Sequence, residues 1–394
     1  MEFRDLKHQY QVLKQDIDQA VLDVMKSGAF IMGQPVRDLE TQLAEYVGVK
    51  HCLTCANGTD ALTLALKTWG IGPGDAVFVP DFTFFSSAEV VSLEGATPVF
   101  VDVDEDTFNI SPSDLECAIT ETITNGKLLP KVIVAVDLFG LPANYPVIRQ
   151  IANKYGLYIL EDGAQGFGGA INGKRACSFG DISTTSFFPA KPLGCYGDGG
   201  AVFTDNDEWA ALIESYRVHG KGTFKYDNVR IGLNSRLDTI QAAILQIKFK
   251  AFRDNELEAV NKVAARYTEL LKDIPGIKTP IISEGFYSSW AQYTICLESQ
   301  VQRDALQVKL KEQGIPNMVY YPKPMHSQTA FKSQAVLEHV ALGSAALLVE
   351  ERHIPECNCP TSTKLSQTVL SLPMHPYLSE SDIQATVKAI KESL

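Results

Sequence analysis

The chain has 394 residues, of which 45% are hydrophobic and 21% charged, a composition that supports a large packed core and two or three domains. Its formal net charge of −12 argues against a broad nucleic-acid-binding surface, because a phosphate backbone requires clustered positive charge. No apolar run is long enough to span a bilayer and residues 1–30 are of mixed polarity, so we expect a soluble, cytoplasmic protein with no nucleic-acid or membrane partner.

The cysteines indicate neither a disulfide scaffold nor a metal centre. There are eight of them, which is too few for disulfide bonds to be the main support of a fold of this length. Cys52 and Cys55 have the C-x-x-C spacing, but no second pair at zinc spacing accompanies them. Cys357 and Cys359 lie near His353, yet a fourth metal ligand is missing. We expect reduced cysteines and no metal site.

The first predicted elements are two helices separated by a break. Apolar residues recur at helical spacing between residues 8 and 25, at Leu13, Ile17, Val21 and Val24, and this pattern predicts an amphipathic helix. The break covers residues 27–33, and Pro35 begins a second helix that reaches about Tyr46.

A helix that begins at Gly58 and Thr59, and extends to about Trp69, follows a stretch of small and polar residues. Free backbone N–H groups and the positive end of the helix dipole at such a start can hold a phosphate. Polar caps of this kind are also routine, so the pattern alone leaves both interpretations open.

Strands and helices then alternate as far as residue 161. The predicted strands are 76–79, 98–101, 132–136 and 157–161, with helices 86–93, 112–119 and 145–155 between them. Apolar strands in this alternation predict an α/β fold with a mostly parallel sheet covered on both faces. Functional residues of such folds gather at the carboxyl ends of the strands, where Phe84 and Asp162 are found.

Lys191 lies in a loop rich in glycine and aromatic residues, between Pro189 and Pro192. A lone loop lysine is usually solvated, but burial beside a flat cofactor would lower its pKa and make its amine a nucleophile. Asp162 ends a buried strand upstream. An acid and a lysine in these settings suit pyridoxal 5′-phosphate (PLP), because the acid keeps the ring nitrogen protonated and the lysine attaches covalently to the cofactor.

The pattern changes towards the C-terminus. A long helical stretch is predicted from Asp238 to about Lys272, and an α+β arrangement follows it. We expect two domains: the N-terminal helices and a large PLP-binding α/β domain over residues 1–248, and a smaller α+β domain over residues 249–394. Residues 335–356 have the character of a helical insertion. We expect this insertion to be an ordinary surface segment that packs over the smaller domain.

Three strings carry a resemblance to a known family. The segment Ser-Phe-Phe-Pro-Ala-Lys-Pro-Leu-Gly-Cys-Tyr-Gly-Asp-Gly-Gly at 186–200 resembles the lysine motif of the DegT/DnrJ/StrS-type PLP-dependent sugar-nucleotide aminotransferases. Residues 233–238 and 371–377 also resemble family strings, and the resemblance covers nearly the whole chain. It implies a type I, aspartate aminotransferase-like fold. It is nearest to members that act on UDP-linked 3-keto-hexuronic acids in surface-polysaccharide assembly, namely O-antigen or capsule.

The resemblance implies roles for individual residues. The catalytic pair is Lys191 and Asp162, and Phe84 stacks on the cofactor ring unless it is an ordinary core residue. The cofactor-binding set is Gly58, Thr59, Phe84, Asp162, Gln165, Ser186, Lys191 and Asn234. In a homodimer with shared sites, Asn234 would reach the phosphate in the partner subunit. The substrate-binding set is Gly28, Phe30, Ala190, Arg236, Tyr320 and Tyr321.

Departures from the family pattern affect substrate recognition. Ala190 stands where Ser or Thr is common, and Phe30 and Tyr320 stand where near relatives often carry Tyr and His. Gly28 and Phe30 are either substrate contacts or part of a plain turn. Arg236 suits the carboxylate of a hexuronate, unless it pairs with a neighbouring acid such as Asp238.

The expected reaction is transamination of UDP-2-acetamido-2-deoxy-3-keto-glucuronate with L-glutamate as amino donor. Three alternatives are weighed: amination of a 4-keto-6-deoxy sugar nucleotide, a dehydratase, and a PLP-binding regulatory protein without turnover. Lys191 argues against the dehydratase, whose relatives carry histidine at the matching position.

Overall fold

The computed structural model describes residues 1–224, 226–332, 355 and 357–394. The predicted insertion at residues 335–356 lies outside the described residues except for Pro355, and so does His353. Within the described residues, none of the helices combines the length and the apolar character needed to cross a bilayer.

Two N-terminal helices precede the sheet: α1 (Leu6–Ser27) and α2 (Gln34–Val47). The carboxylate of Asp5 accepts a hydrogen bond from the amide of His8 at 2.8 Å and caps the start of α1. Gly28, with φ of +67°, ends α1 in the left-handed conformation that glycine adopts without strain. Both helices pack against a later helix, α8 (Thr239–Ala251).

A seven-stranded sheet forms the centre of the larger part of the chain, in the order β1-β9-β8-β5-β4-β2-β3. Its strands are β1 (His51–Cys55), β2 (Asp75–Pro80), β3 (Thr97–Val101), β4 (Leu129–Val136), β5 (Tyr158–Asp162), β8 (Ile182–Ser186) and β9 (Gly200–Thr204). Strands β3, β2, β4, β5 and β8 pair in parallel, whereas β9 is antiparallel to both of its neighbours. The predicted α/β fold with a mostly parallel sheet is therefore confirmed.

Helices cover both faces of this sheet, so both faces are buried. Successive strand residues point to opposite faces: Val132 and Val134 of β4 belong to one apolar cluster, while Ile133 and Ala135 belong to another. The covering helices are α3 (Gly58–Thr68), α4 (Ser86–Leu93), α5 (Pro112–Asn125), α6 (Tyr145–Tyr155) and α7 (Asp207–Tyr216). Since β2, β4, β5 and β8 run in the same direction, their carboxyl ends share one edge.

The predicted long helix after Asp238 is interrupted. A π-helical segment, Phe252–Glu256, joins α8 to α9 (Leu257–Leu271). Glu256 is buried and accepts hydrogen bonds from Gln9 Nε2 at 2.9 Å and from Tyr377 Oη at 2.5 Å. The wider π-helical turn places the carboxylate of Glu256 in the interior, beside α1. The spacing of apolar residues in the sequence does not predict this feature.

The C-terminal part of the chain builds a second, three-stranded sheet in the order β10-β12-β13. Its elements are β10 (Ile277–Lys278), β12 (Tyr293–Leu297), α10 (Gln300–Glu312), α11 (Thr329–Lys332), α12 (Pro360–Thr368), β13 (Val369–Leu372) and α13 (Glu380–Lys391). A third small sheet joins β11 (Phe286–Tyr287) to β6 (Ala170–Ile171) and β7 (Lys174–Arg175), and so ties the two parts together. A domain boundary at residues 248/249 stays a prediction.

Candidate active site

Lys191 lies in the connection between β8 and β9, at the carboxyl end of the parallel strands. Its backbone is fixed on two sides: its amide donates to the Phe188 carbonyl at 2.9 Å, and its carbonyl accepts from Arg4 Nη2 at 2.8 Å. Arg4 also donates to the Pro192 carbonyl at 3.3 Å. The sequence gives no local signal for this role of Arg4, because its partner segment lies at the other end of the domain.

The environment of the Lys191 amine makes its neutral form more accessible than it is in a solvated lysine. Burial lowers the pKa of Lys191 to about 8, Asp162 opposes the shift, and the charge of Arg4 adds to it. Lys191 is only partly covered in the single chain, but neighbouring groups still desolvate its amine. A neutral amine is the form that acts as a nucleophile or general base.

Asp162 is buried at the end of β5, close enough to Lys191 for the two charges to affect each other. Its Oδ2 accepts from Ser87 Oγ at 2.7 Å and its Oδ1 accepts from the Ala164 amide at 3.2 Å. Burial raises the pKa of Asp162, and these two donors and Lys191 oppose the rise. Ser87, at the start of α4, was not among the predicted site residues.

The start of α3 forms a cradle of hydroxyl and amide groups. Asn57 caps the helix, and Thr59 Oγ1 lies 2.9 Å from Ser86 Oγ, a residue that sequence analysis did not select. A Cβ atom on Gly58 would lie 2.8 Å from Cβ of Ser186, so only glycine permits this close approach. Hydroxyls gathered at a helix N-terminus fit a phosphate group.

Phe84 lies in the loop between β2 and α4, and 53% of its surface is exposed in the single chain. That exposure argues against an ordinary core role and leaves a flat apolar face available to a ring. Its ring centroid is 6.1 Å from that of Tyr321. Gln165 Nε2 donates to the Tyr321 hydroxyl at 2.9 Å, while its Oε1 accepts from the Phe139 amide at 2.6 Å. Gln165 is thereby fixed in orientation beside Asp162.

The other predicted substrate contacts lie on three segments. Ala190 is exposed next to Lys191, and Tyr320 precedes Tyr321 in the loop after α10. Phe30 is exposed at its side chain, while its carbonyl accepts from the amide of Thr239 at 2.9 Å. This hydrogen bond places the break at Gly28–Gly33 beside the start of α8, just after Arg236.

Arg236 and Asn234 contact each other. Arg236 Nη2 donates to Asn234 Oδ1 at 2.6 Å, and among the described residues Arg236 forms no ion pair with Asp238. The alternative in which Asp238 neutralises Arg236 is therefore absent from the described part of the chain. Asn234 is exposed. The next residue, Ser235, accepts a hydrogen bond from the Ala56 amide at 3.1 Å, so this segment also approaches the phosphate cradle of its own subunit.

Taken together, these residues fit PLP. The donor set comprises a desolvated lysine, a buried carboxylate, an exposed aromatic face and a helix N-terminus lined with hydroxyls. Because Gly58 has no side chain, Ser186 can lie directly against the start of α3. When bound, PLP supplies a conjugated ring that takes up the carbanion charge of an amino acid.

Comparisons with known proteins agree with this chemistry. The model of the DegT/DnrJ/EryC1/StrS aminotransferase family matches residues 11–391. The chain is 42% identical to UDP-2-acetamido-2-deoxy-3-oxo-D-glucuronate aminotransferase of Pseudomonas aeruginosa, over 99% of each chain. It is 43% identical to a protein named pleiotropic regulatory protein of Geobacillus stearothermophilus, over 98% of this chain and 97% of that protein.

Solved structures confirm the type I fold and the cofactor. An aminotransferase of the same family from Brucella abortus superimposes with a TM-score of 0.91, at 48% identity, and covers 100% of this chain and 99% of its own. More distant structures at 25–29% identity were solved with the cofactor as PLP or as its amino form, PMP. The chain belongs to the DegT/DnrJ/EryC1/StrS aminotransferase family and is a PLP-dependent aminotransferase.

Proposed function

We propose that the protein transfers an amino group from L-glutamate to C3 of UDP-2-acetamido-2-deoxy-3-keto-glucuronate, in the cytoplasm, for the synthesis of a surface polysaccharide. The observation that carries this proposal is the 42% identity, over nearly the full length, to an enzyme named for that substrate. Arg236 adds a physical reason: its guanidinium has no carboxylate partner among the described residues and suits the bidentate geometry of a C6 carboxylate.

The chemistry follows from the positions of the named groups. The neutral amine of Lys191 takes the proton from Cα of glutamate, and it later delivers a proton to C3 of the sugar. Asp162 keeps a negative charge against the ring nitrogen, and Ser87 and the Ala164 amide hold the carboxylate in place. The α3 cradle anchors the phosphate, so the reacting atoms stay in register with the lysine.

The substrate assignment is tested at Arg236. The enzyme is first converted to its amino form with glutamate, and candidate keto sugars are then offered while the PLP absorbance returns. The 3-keto uronate should react fastest. Arg236→Lys should cost it roughly 1.5–3 kcal/mol of transition-state binding through loss of a charged hydrogen bond.

Two controls accompany this experiment. Arg266→Lys changes a partly exposed arginine of α9 that pairs with Glu380 at the start of α13 and should leave the rate unaltered. A neutral 4-keto-6-deoxy sugar should react slowly with wild type and should not respond to Arg236→Lys. If that neutral sugar reacts as fast as the uronate and Arg236→Lys is harmless, the substrate proposal is wrong and the alternative substrate is favoured.

A second candidate function is regulation without turnover. The name of the Geobacillus stearothermophilus relative, pleiotropic regulatory protein, favours it. The presence of both Lys191 and Asp162 favours catalysis instead, since a regulator that merely binds the cofactor does not require a general base. Turnover with glutamate and a keto sugar decides between them.

We also propose that the protein is a homodimer with shared active sites. Large apolar side chains are exposed in the single chain, both at the cleft (Phe84 and Phe188) and on the loop before Leu233, where Phe224, Tyr226 and Ile231 are 73%, 86% and 90% exposed. Apolar surface of this extent favours a subunit interface. A partner subunit packed against these side chains would remove them from water.

Mixing inactive subunits tests the sharing. If Asn234 serves the cofactor phosphate of the partner, a heterodimer of Lys191→Ala and Asn234→Asp subunits contains one intact site. Activity should therefore rise from near zero to about a quarter of wild type after random re-assortment, because half of the dimers are mixed and each carries one site. If Asn234 instead contacts the cofactor phosphate of its own subunit, mixed dimers form without regaining activity. The hydrogen bond between Ser235 and Ala56 of the same chain is the observation that favours this outcome.

A further inference from the structure

A compact group of metal-ligating side chains lies outside the active site. Asp81 follows β2, His326 lies in the 3₁₀ turn Met325–Ser327, and Cys357 precedes α12. One ligand atom from each residue lies within 4.8 Å of the others, and among the described residues this is the one grouping of His, Cys, Asp and Glu side chains with that spacing. Three distant segments of the chain thus converge on one point.

A second thiol adjoins this group. Cys359 is 5% exposed, and its Sγ lies 2.7 Å from Sγ of Cys357. In the sequence, His353 is a further donor near these two cysteines; the fold brings the imidazole of His326 and the carboxylate of Asp81 to them. Two sulfurs, one nitrogen and one oxygen form a donor set that Zn²⁺ accepts in tetrahedral sites. Soft thiolates disfavour Mg²⁺ and Ca²⁺, which prefer oxygen.

The donors are carried by fixed parts of the structure. The Asp81 carboxylate accepts from the His326 amide at 2.7 Å, and its other oxygen lies 2.6 Å from His326 Nδ1. Asp102 accepts from the amides of Thr361 and Ser362 at 2.9 and 2.8 Å, which anchors the start of α12 directly after Cys359. A site needs little rearrangement when its ligands are held in this way.

The distances show what a metal would change. With Zn–S bonds of about 2.3 Å and Zn–N or Zn–O bonds of about 2.0–2.1 Å, tetrahedral geometry separates two sulfurs by about 3.8 Å and a nitrogen–oxygen pair by about 3.3 Å. The present pairs, at 2.7 and 2.6 Å, are in direct contact with each other. Metal binding would therefore spread the sulfur pair by about 1.1 Å and the nitrogen–oxygen pair by about 0.7 Å, with release of the thiol protons.

The buried carboxylate gains most from a cation. Asp81 is fully buried. Among the described residues, the ring of His326 is the one basic side chain within ion-pair distance of its carboxylate. A divalent ion would offset the cost of burying this charge.

We propose that Asp81, His326, Cys357 and Cys359 form a zinc site that joins the start of α12 to the carboxyl edge of the central sheet. The Asp81 carbonyl also accepts from the Met325 amide at 2.8 Å, so the site holds the turn that follows Tyr320 and Tyr321. Its role is structural: it steadies the turn Met325–Ser327 and takes no part in proton transfer. The site is independent of the proposed sugar substrate and can fail while aminotransferase activity is retained.

The experiment measures metal content and sulfur ligation in the cofactor-loaded protein. Protein purified under reducing conditions should carry one zinc per chain by elemental analysis. After chelator treatment, added Co²⁺ should give thiolate-to-cobalt charge-transfer bands in the ultraviolet. Cys357→Ser and His326→Ala should abolish stoichiometric binding, and Asp81→Asn should weaken Zn²⁺ binding 10- to 100-fold.

Controls separate loss of the site from loss of the fold. Cys117→Ser removes an exposed thiol on α5 and should leave zinc content and cobalt spectra unchanged. The PLP absorbance reports whether each variant is folded, and Cys357 is only partly buried, so its serine variant suits this check. Reduced, folded wild type that binds no zinc, or cobalt bound without charge-transfer bands, overturns the proposal. A Cys357–Cys359 disulfide that persists in place of metal does so as well.

Discussion

Lys191→Ala should lower turnover by at least about 10⁴-fold, because one substitution removes both the covalent attachment point of PLP and the group that moves the proton. The variant should still bind some PLP, since the α3 cradle and Phe84 are untouched. Borohydride treatment of wild type followed by peptide mapping should place the cofactor on Lys191.

The lowered pKa of Lys191, about 8, predicts a particular pH dependence of cofactor loading. Covalent loading of the apoprotein should accelerate about tenfold per pH unit below 8 and level off above it, whereas an ordinary lysine would gain until about pH 10.

The chain contains a demanding control for this result. Lys248 is also buried, its pKa is also lowered to about 8, and its Nζ lies 4.6 Å from the centre of the Tyr196 ring. If a depressed pKa alone made a lysine reactive, borohydride would label both residues. Lys248→Met should leave labelling and the loading profile unchanged. Label on Lys248, or on any lysine besides Lys191, would show that the assignment is wrong.

The parts of the site that were predictable from sequence are those marked by a local pattern. The apolar strands ending at Asp162, the loop around Lys191 and the helix starting at Gly58 each have a signature within about ten residues. Ser87 and Arg4 have none, because their roles arise when α4 lies beside β5 and when the N-terminus crosses the Lys191 loop. Both contacts depend on how distant segments of the chain pack together, and in particular on the order in which the strands pair. No single segment of the sequence determines that order.

The same limit applies to fold details. Strand β1 (His51–Cys55) was not predicted, since five residues with His and two Cys lack a clear alternation, and its place at the sheet edge depends on antiparallel pairing with β9. The π-helical segment at Phe252–Glu256 likewise leaves helical periodicity nearly intact. Both features depend on long-range contacts that outweigh local propensity.

Asp162→Asn should reduce turnover by roughly 10²–10³-fold or more while the protein stays folded, because the amide keeps the shape but removes the charge that stabilises a protonated ring nitrogen. Ser87 Oγ would still donate to the remaining side-chain oxygen, so packing around β5 should survive. The expected change is in kcat, with cofactor binding affected far less, since the phosphate cradle lies on another element.

The readout that isolates this electrostatic role is the protonation state of the ring nitrogen, measured by nuclear magnetic resonance with ¹⁵N-labelled cofactor. Wild type should show a protonated nitrogen and Asp162→Asn a neutral one.

Ser87→Ala should have a smaller effect than Asp162→Asn, about 10-fold on kcat, because it removes one hydrogen bond to a charged group. Ser113→Ala, at the exposed start of α5, is the matched control. Near-normal turnover in Asp162→Asn with the nitrogen still protonated would mean that a group other than Asp162 carries the counter-charge. In that case the burial of Asp162 beside Lys191 would have to be explained by folding stability alone, and Asp162→Asn should then change the unfolding midpoint instead of kcat.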